Sequence, residues 1–368
     1  MHSRRWKFAT WLLLLLAVAA WPNPPQSGQA PQKENEKKEK TKESKSERAE
    51  AAAAMPAVLW RDPGDVSSLD LTGGPGGRDK APKPGDRFTF VKEDMNGTST
   101  KFYVKDSSGV EWLVKVGEEV HAETAATRIV WATGYFADAD YYLDSIHVDD
   151  MPKLKHGKGH KKVTSDIREV RLKLQNSKEK SIGNWSWYDN PFAGTREFNG
   201  LRVMMALINN WDLTEVNNKI YPMESEREFV VSDLGATFGK TGGPVTRSKG
   251  KADDYEHSRF ILSTTPEFIS FKIKSRPLPL MKPFERKNYA MRAKIETIAR
   301  SVPRGDVQWI SERLNQLSDQ QIHDAFRAAG FSDHAVDEYA KTLEARIAQL
   351  NAEAGKPVVR ASTSAPHE

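Results

Sequence analysis

Between residues 87 and 116 the chain carries three short runs in which apolar and polar residues alternate: Arg87 to Lys92 with Phe88, Phe90 and Val91, Lys101 to Lys105 with Phe102 and Val104, and Val110 to Val116 with Trp112, Val114 and Val116. A period of two marks strands with one buried face. The connections, Met95-Asn96-Gly97-Thr98-Ser99 and Asp106-Ser107-Ser108-Gly109, are turn-forming and too short for a crossover helix, so neighbouring runs are expected to pair antiparallel. This meander constrains the chain most, because its single apolar face must be covered. The pattern then changes to that of a helix from about Glu119 to Gly134, with Ala122, Ala125, Ala126, Ile129 and Val130 as its apolar positions.

The second half reads as mainly helical. Phe198, Leu201, Met204, Met205 and Ile208 line one face of a helix expected from Arg196 to Asn209. Ile220 and Phe229-Val230-Val231 are strand-like, and the Gly-, Lys- and Ser-rich stretch from Thr237 to Ser258 is expected to be mobile. Asp306 can cap a helix containing Val307, Ile310 and Leu314. Ser318-Asp319-Gln320-Gln321 is a capping box, with Gly330 as the matching stop. Ser332 begins a helix bearing Val336, Tyr339, Leu343, Ile347 and Leu350. The fold class expected is α+β: an antiparallel-sheet lobe over residues 86–190 and a mainly helical lobe over 191–352, followed by a flexible tail at 353–368.

The N-terminal segment is of another kind. Arg4, Arg5 and Lys7 precede an uncharged, mostly apolar run from Phe8 to Ala20 that includes Leu12 to Leu16. Ala17-Val18-Ala19 and the prolines at 22, 24 and 25 complete the layout of an export signal over residues 1–20. An uncleaved anchor flanked by Trp11 and Trp21 is the alternative, and it offers membrane association; both readings place the remainder outside the cytoplasm, periplasmic or extracellular. Residues 21–85 read as a solvated Lys/Glu tether followed by a Gly/Pro-rich, loosely packed arm that includes Gly73-Gly74-Pro75-Gly76-Gly77. The chain has no cysteine, which excludes disulfides, thiolate metal sites and thiol nucleophiles, and which fits an exported bacterial protein. Its net charge of +5 is too small to imply a nucleic-acid partner.

Residues 153–180 hold ten Lys or Arg against three Asp or Glu around the alternating Val170-Arg171-Leu172-Lys173-Leu174, and read as an exposed hairpin with a basic face. His156 and His160 stand four apart, but the glycines at 157 and 159 oppose the helix that metal ligation at this spacing needs, so both are read as surface residues. Trp185 and Trp187 are read as packing at the junction of the two lobes.

Two segments carry chemistry. Asp212-Leu213-Thr214-Glu215-Val216-Asn217 follows an amphipathic helix, and Val230-Val231-Ser232-Asp233-Leu234-Gly235 is an apolar strand ending in Asp-x-Gly. Phosphoryl transfer from a nucleotide needs one carboxylate to orient the acceptor hydroxyl. It also needs a carboxylate and an amide oxygen to hold magnesium, and a lysine, fixed by a glutamate, against the phosphates. Upstream, Lys115 lies on the third strand and Glu123 on the following helix, with Glu119 one turn earlier as the alternative partner. Gly97 occupies the turn where a phosphate-covering loop would lie.

In this order of elements, residues 86 to 350 resemble the protein-kinase-like superfamily, nearest its atypical branch of HipA-like, phosphatidylinositol-kinase-like and secretory-pathway kinases. The resemblance implies a two-lobed fold that binds ATP and Mg2+, and an acceptor that is a protein or another hydroxyl-bearing molecule. It makes Lys115 the phosphate-contacting lysine, Glu123 its ion-pair partner, Asp212 the catalytic carboxylate, Asn217 and Asp233 the metal ligands, and Gly235 the close turn after the metal aspartate. The chain departs from ordinary kinases in Asn210-Trp211-Asp212, in its single glycine in the nucleotide loop and in having no Ala-Pro-Glu after Asp233. The alternatives to an enzyme are a catalytically inactive kinase-like binding module and an envelope-associated interaction protein.

Overall fold

The computed structural model describes residues 45–83, 85–175, 180–240, 248–284 and 286–355. The expected export signal, most of the expected tether, nearly all of the expected tail and part of the stretch from Thr237 to Ser258 therefore lie outside the described residues.

A short strand, β1 (Ala57–Val58), precedes the meander β2 (Arg87–Asp94), β3 (Thr100–Asp106) and β4 (Glu111–Val116). The helix α1 (Val120–Ala132) then leads into β5 (Asp140–Asp149) and β6 (Asp166–Leu174). The five strands β2 to β6 close on themselves in the order β2-β3-β4-β6-β5. The meander pairs antiparallel as expected, and so do β4 with β6 and β5 with β6; only the closing pair, β2 with β5 through Arg87↔His147 and Thr89↔Asp149, is parallel. Phe88, Phe102, Val104, Trp112, Val114, Val170 and Leu172 fill the interior.

Residues 166–174 are thus a central strand, which corrects the exposed-hairpin reading. Val170 and Leu172 face the barrel core, while Arg171 and Lys173, on the opposite face, are covered by α1 and the second lobe. The two lysyl and arginyl stems gave this strand its surface-like composition, and buried carboxylates compensate their charge.

The helical lobe contains α2 (Arg196–Leu207), the hairpin β7 (Asn218–Pro222) and β8 (Arg227–Val231), and the short α3 (Ala252–Glu256). It continues through β9 (Ile261–Thr264), β10 (Phe268–Phe271), α4 (Arg286–Ile295), β11 (Val302–Pro303), α5 (Arg304–Leu314), α6 (Asp319–Arg327) and α7 (Asp333–Ala354). Together the two lobes form an α+β fold of the expected two-lobed kind, an antiparallel-rich barrel followed by a mainly helical lobe. Trp185 and Trp187 pack in the core, ring centroids 4.8 Å apart, with Trp185 Nε1 donating to the Val230 carbonyl at 3.1 Å.

The Gly/Pro-rich arm is tightly packed, contrary to its composition. β1 pairs in parallel with β8, and Leu59, Val66 and Leu71 are buried in the main core. Gln321 fixes it: its Oε1 accepts from Ser318 N, completing the capping box, while its Nε2 donates to the carbonyls of Val66 at 2.8 Å and Leu69 at 2.9 Å. Three well-spaced apolar side chains and one buried amide outweigh the chain entropy that the glycines add.

The N-terminal end of α1 is held by the helical lobe. His121 Nδ1 lies 2.7 Å from the Ala329 carbonyl. Gly330, in the left-handed conformation at φ 77°, lies so close to the Tyr142 ring that a Cβ would sit 2.0 Å from it. The helix carrying Glu123 is therefore anchored from outside its own lobe.

Candidate active site

Alternation along β4 sends Trp112 and Val114 into the barrel and Lys115 to the face that α1 covers. Glu119 and Glu123, four residues apart at the start of the helix, share a face. Both reach the lysine: Lys115 Nζ lies 2.8 Å from Glu123 Oε2 and 2.8 Å from Glu119 Oε1. The two candidate partners named from the sequence therefore act together. Lys115 Nζ also lies 3.3 Å from Asp233 Oδ1, so one ammonium, its side chain 2% exposed, joins the sheet, the helix and the second lobe.

Register brings in a residue that the sequence analysis did not assign to the site. Arg171 on β6 stands opposite Lys115 on β4 and donates Nη2 to Glu123 Oε1 at 2.8 Å. Each oxygen of Glu123 is thus held by a different cation. Lys249 donates to Glu119, and so does the Ser99 hydroxyl from the turn between β2 and β3. That contact draws the 95–99 turn toward the Lys115 cluster. Gly97 sits at its bend with φ 76°, and its carbonyl lies 2.8 Å from His156 Nε2. The bend requires glycine for its backbone angle rather than for space, since a Cβ would meet only Lys101 Nζ at 3.6 Å. The basic loop after β5 braces the turn through Lys158 N to Thr98 O at 2.9 Å. His156 and His160 both contact backbone carbonyls and share no ligand set.

The second half of the site grows from the end of α2. Asn209 takes the left-handed conformation, φ 53°, and turns the chain into the loop that carries Asp212. Asn217 Nδ2 donates to the Asp212 carbonyl at 2.8 Å, which closes that loop. Asn217 O then accepts from Ser232 N at 2.8 Å, so the β7–β8 hairpin sets Asn217 beside the residue before Asp233. Gly235 follows in a tight place: a Cβ would approach Glu119 Cβ to 3.1 Å, so the Glu119 side chain would have to give by a few tenths of an ångström. Lys115, Glu123, Glu119, Asp233 and Gly235 are brought into direct contact, and Asp212 and Asn217 are joined to them through the hairpin. Gly97 is linked through Ser99.

Asp212 has a partner that no local motif announced. Arg292, on α4, places Nη2 3.2 Å from Asp212 Oδ1. Its Nη1 donates to Ser275 Oγ at 3.1 Å, its Nε to Asn288 Oδ1 at 3.1 Å, and its guanidinium lies 5.7 Å from the centre of the Trp211 ring. The chain thus supplies an arginine to this loop from 80 residues downstream.

Charge sets the protonation states. Burial pulls the Lys115 ammonium down, but Asp233, Glu123 and Glu119 outweigh it and hold the group well above its ordinary value. Burial likewise pushes Glu119 up, and Lys115 and Lys249 overcome this, leaving the carboxyl well below the usual carboxylate range. Asp233 is also held low, its desolvation being offset first by Lys115. Lys173, one step along β6, remains charged through Asp138, 2.7 Å away, and also donates to Ser232 Oγ at 3.1 Å.

Asp233, its side chain 44% exposed, and Asn217 Oδ1 are hard oxygen donors suited to magnesium. No cluster of three or more His, Cys, Asp or Glu able to hold a metal by itself occurs among the described residues. Two protein oxygens are what an ion shared with a polyphosphate requires, since the phosphates and water supply the remaining ligands.

No family model matches the chain, and no curated protein matches it. Solved structures do. The chain is similar to the Helicobacter pylori proinflammatory kinase CtkA at 12% identity and a TM-score of 0.43, over 74% of this chain and 98% of that one. It is also similar to the Golgi casein kinase with Mn and ADP bound, at 11% identity and a TM-score of 0.35, over 76% and 75% of the two chains.

Proposed function

We propose that this protein is an ATP- and Mg2+-dependent phosphotransferase acting on a protein or other hydroxyl-bearing acceptor outside the cytoplasm. The observation that carries the reading is the position of Lys115, which bridges Glu123 and Asp233 across the two lobes. A buried ammonium fixed on one side by a helix glutamate and facing an Asp-x-Gly aspartate is suited to the oxygens of a nucleotide phosphate. Magnesium, held by Asn217 and Asp233, would supply neutralisation of phosphate charge. Lys115 binds the donor phosphates, and Glu123 and Arg171 keep it aimed. Asp212, its side chain 31% exposed, accepts a hydrogen bond from the acceptor hydroxyl and orients it, and Arg292 holds that carboxylate in place. The extracytoplasmic setting rests on the basic and apolar residues of the first twenty positions.

Magnesium-dependent nucleotide binding to the full chain, measured by calorimetry, tests the reading. Asp233→Ala should abolish it. Asp212→Ala should keep binding and lose phosphate transfer. Binding without transfer in the unaltered protein would identify a binding module instead, and a folded protein without nucleotide affinity would remove the proposal. Protease accessibility of the domain in intact cells tests the location.

A further inference from the structure

We propose that Lys249, on the segment that returns from the Asp233 turn, is a further nucleotide-binding residue that contacts the terminal phosphoryl group of the donor. This rests on the phosphotransferase reading above and deepens it.

The two lysines of the carboxylate cluster differ in the donors they have left. An ammonium carries three N–H groups. Lys115 has three carboxylate partners for them, Glu119, Glu123 and Asp233, and its side chain is 2% exposed. The longest of these contacts, 3.3 Å to Asp233, is the one a phosphate oxygen replaces at least cost. Lys249 has one carboxylate partner among the described residues, Glu119, and its side chain is 27% exposed. It therefore keeps two N–H groups for a ligand at the mouth of the same cluster, and it need not release Glu119 to use them.

The fold fixes where this ammonium stands. Ser248 N donates to the Lys240 carbonyl at 2.8 Å, Gly250 N to that of Thr237 at 2.9 Å and Lys251 N to that of Phe238 at 2.7 Å. The described part of a stretch expected to be mobile is thus tied down on both sides of Lys249. Gly250, at φ 57°, lies against α1, where a Cβ would meet Ala122 Cβ at 3.4 Å. On the other side the Ser248 carbonyl accepts from Trp211 Nε1 at 3.2 Å, and Lys249 Nζ lies 5.7 Å from the centre of the Trp211 ring. Trp211 is the residue before Asp212. Lys249 also follows Lys115 and Arg171 among the cations that offset the desolvation of Asp233.

This placement separates the roles of the two lysines. Lys115, deep between the lobes, serves the inner phosphates. Lys249, beside the Asp212 loop, faces the end of the polyphosphate that the acceptor hydroxyl meets. In transfer the acceptor oxygen bonds to the phosphorus as the bond to the ADP oxygen breaks, and the hydroxyl proton passes to Asp212. Lys249 offsets the charge on the oxygens of the moving phosphoryl group.

The test compares two ligands by calorimetry on the full chain: Mg2+–ADP, and Mg2+ with a non-hydrolysable ATP analogue whose terminal bridge is an imido group. Lys249→Ala should weaken binding of the analogue roughly tenfold or more, as loss of a charged hydrogen bond does, and leave binding of ADP near that of the parent. Lys249→Met, which keeps an unbranched stem against Trp211, should behave in the same way, and Lys249→Arg should recover most of the analogue's affinity. Thermal melting shows which variants are folded. If Lys249 acted only by holding Glu119, its loss would weaken both ligands alike and Glu119→Gln would reproduce the pattern. That result, or equal affinity of parent and folded variants for the analogue, would overturn the proposal while leaving phosphotransfer standing. A folded parent that binds neither ligand would remove the phosphotransferase reading and this inference with it.

Discussion

Lys115 and Asp233, 118 residues apart, meet at 3.3 Å across the two lobes. Nothing in either local sequence requires this. The contact arises because β4 ends at the helix that α6 anchors, while β8 ends at the turn that Gly235 keeps narrow. Replacing the lysine with alanine would leave Glu119, Glu123 and Asp233 clustered, with Arg171 and Lys249 the remaining counter-charges. Lys115→Ala should therefore lower stability by about 3–5 kcal/mol in addition to abolishing nucleotide binding, as breaking a buried ion pair does. Urea denaturation measures the first effect and calorimetry the second.

The cluster also predicts a pH profile. Glu119 titrates below its ordinary value of 4.5 in the folded protein, so its contribution is present above that pH and is lost as pH falls further. Lys115 titrates above its ordinary 10.5, so its contribution is present below that pH and is lost as pH rises through the folded value. The share of stability due to this cluster should be flat between those limits and fall on either side. Glu119→Gln should lower the plateau and flatten the acid limb of denaturation midpoints; an unchanged acid limb would exclude Glu119 as the source.

On the proposed function, the 3.2 Å contact of Arg292 with Asp212 makes the arginine a positioning residue. Arg292→Ala should reduce kcat by about a hundredfold, the scale expected when a reacting group is misplaced by an ångström, while leaving nucleotide affinity near that of the parent. Arg292→Lys keeps the charge and should recover part of kcat. Steady-state kinetics with separated kcat and KM distinguish this from general destabilisation, which would reduce the concentration of active protein instead.

Gly235 lies close against the Glu119 side chain. A methyl group at that position meets the Glu119 side chain at 3.1 to 3.2 Å, so Gly235→Ala should displace Glu119 or the Asp233 turn and cost about 1–3 kcal/mol of stability. Weakened magnesium–nucleotide binding should accompany the loss, and binding as tight as in the parent would show that the turn tolerates the methyl group.

Gln321 predicts the behaviour of the N-terminal arm. Gln321→Ala removes the donor to Val66 and Leu69 and half of the capping box, at about 1–3 kcal/mol for the buried carbonyls left unpaired. Limited proteolysis should then cut between residues 60 and 80, where the parent resists.

Periodicity and turn chemistry were enough to read the β2–β4 meander, α1, α2 and the capped α6 and α7 from the sequence, because each rests on interactions between residues near in the chain. The Asp212–Asn217 spacing and the Asp-x-Gly turn at Asp233 were legible for the same reason, since the Asn217 to Asp212 hydrogen bond is made within six residues. The strand character of residues 140–149 was missed, and residues 166–174 were read as surface, because their charged positions are neutralised only by partners elsewhere in the chain. The arm from 57 to 83 was misread because glycine and proline report the entropy of a segment, not the core waiting to receive it.

The sequence by itself therefore determined the order of elements and the residue types of the site. The tertiary structure alone decided that Glu119 and Glu123 share Lys115, that Arg171 and Arg292 serve Glu123 and Asp212, and that the arm is part of the core. Each of those depends on Coulomb attraction or burial between groups on different elements, from four positions apart for Lys115 and Glu119 to 255 for Val66 and Gln321, whose strength is set by distance and desolvation, and neither quantity exists until the chain has folded.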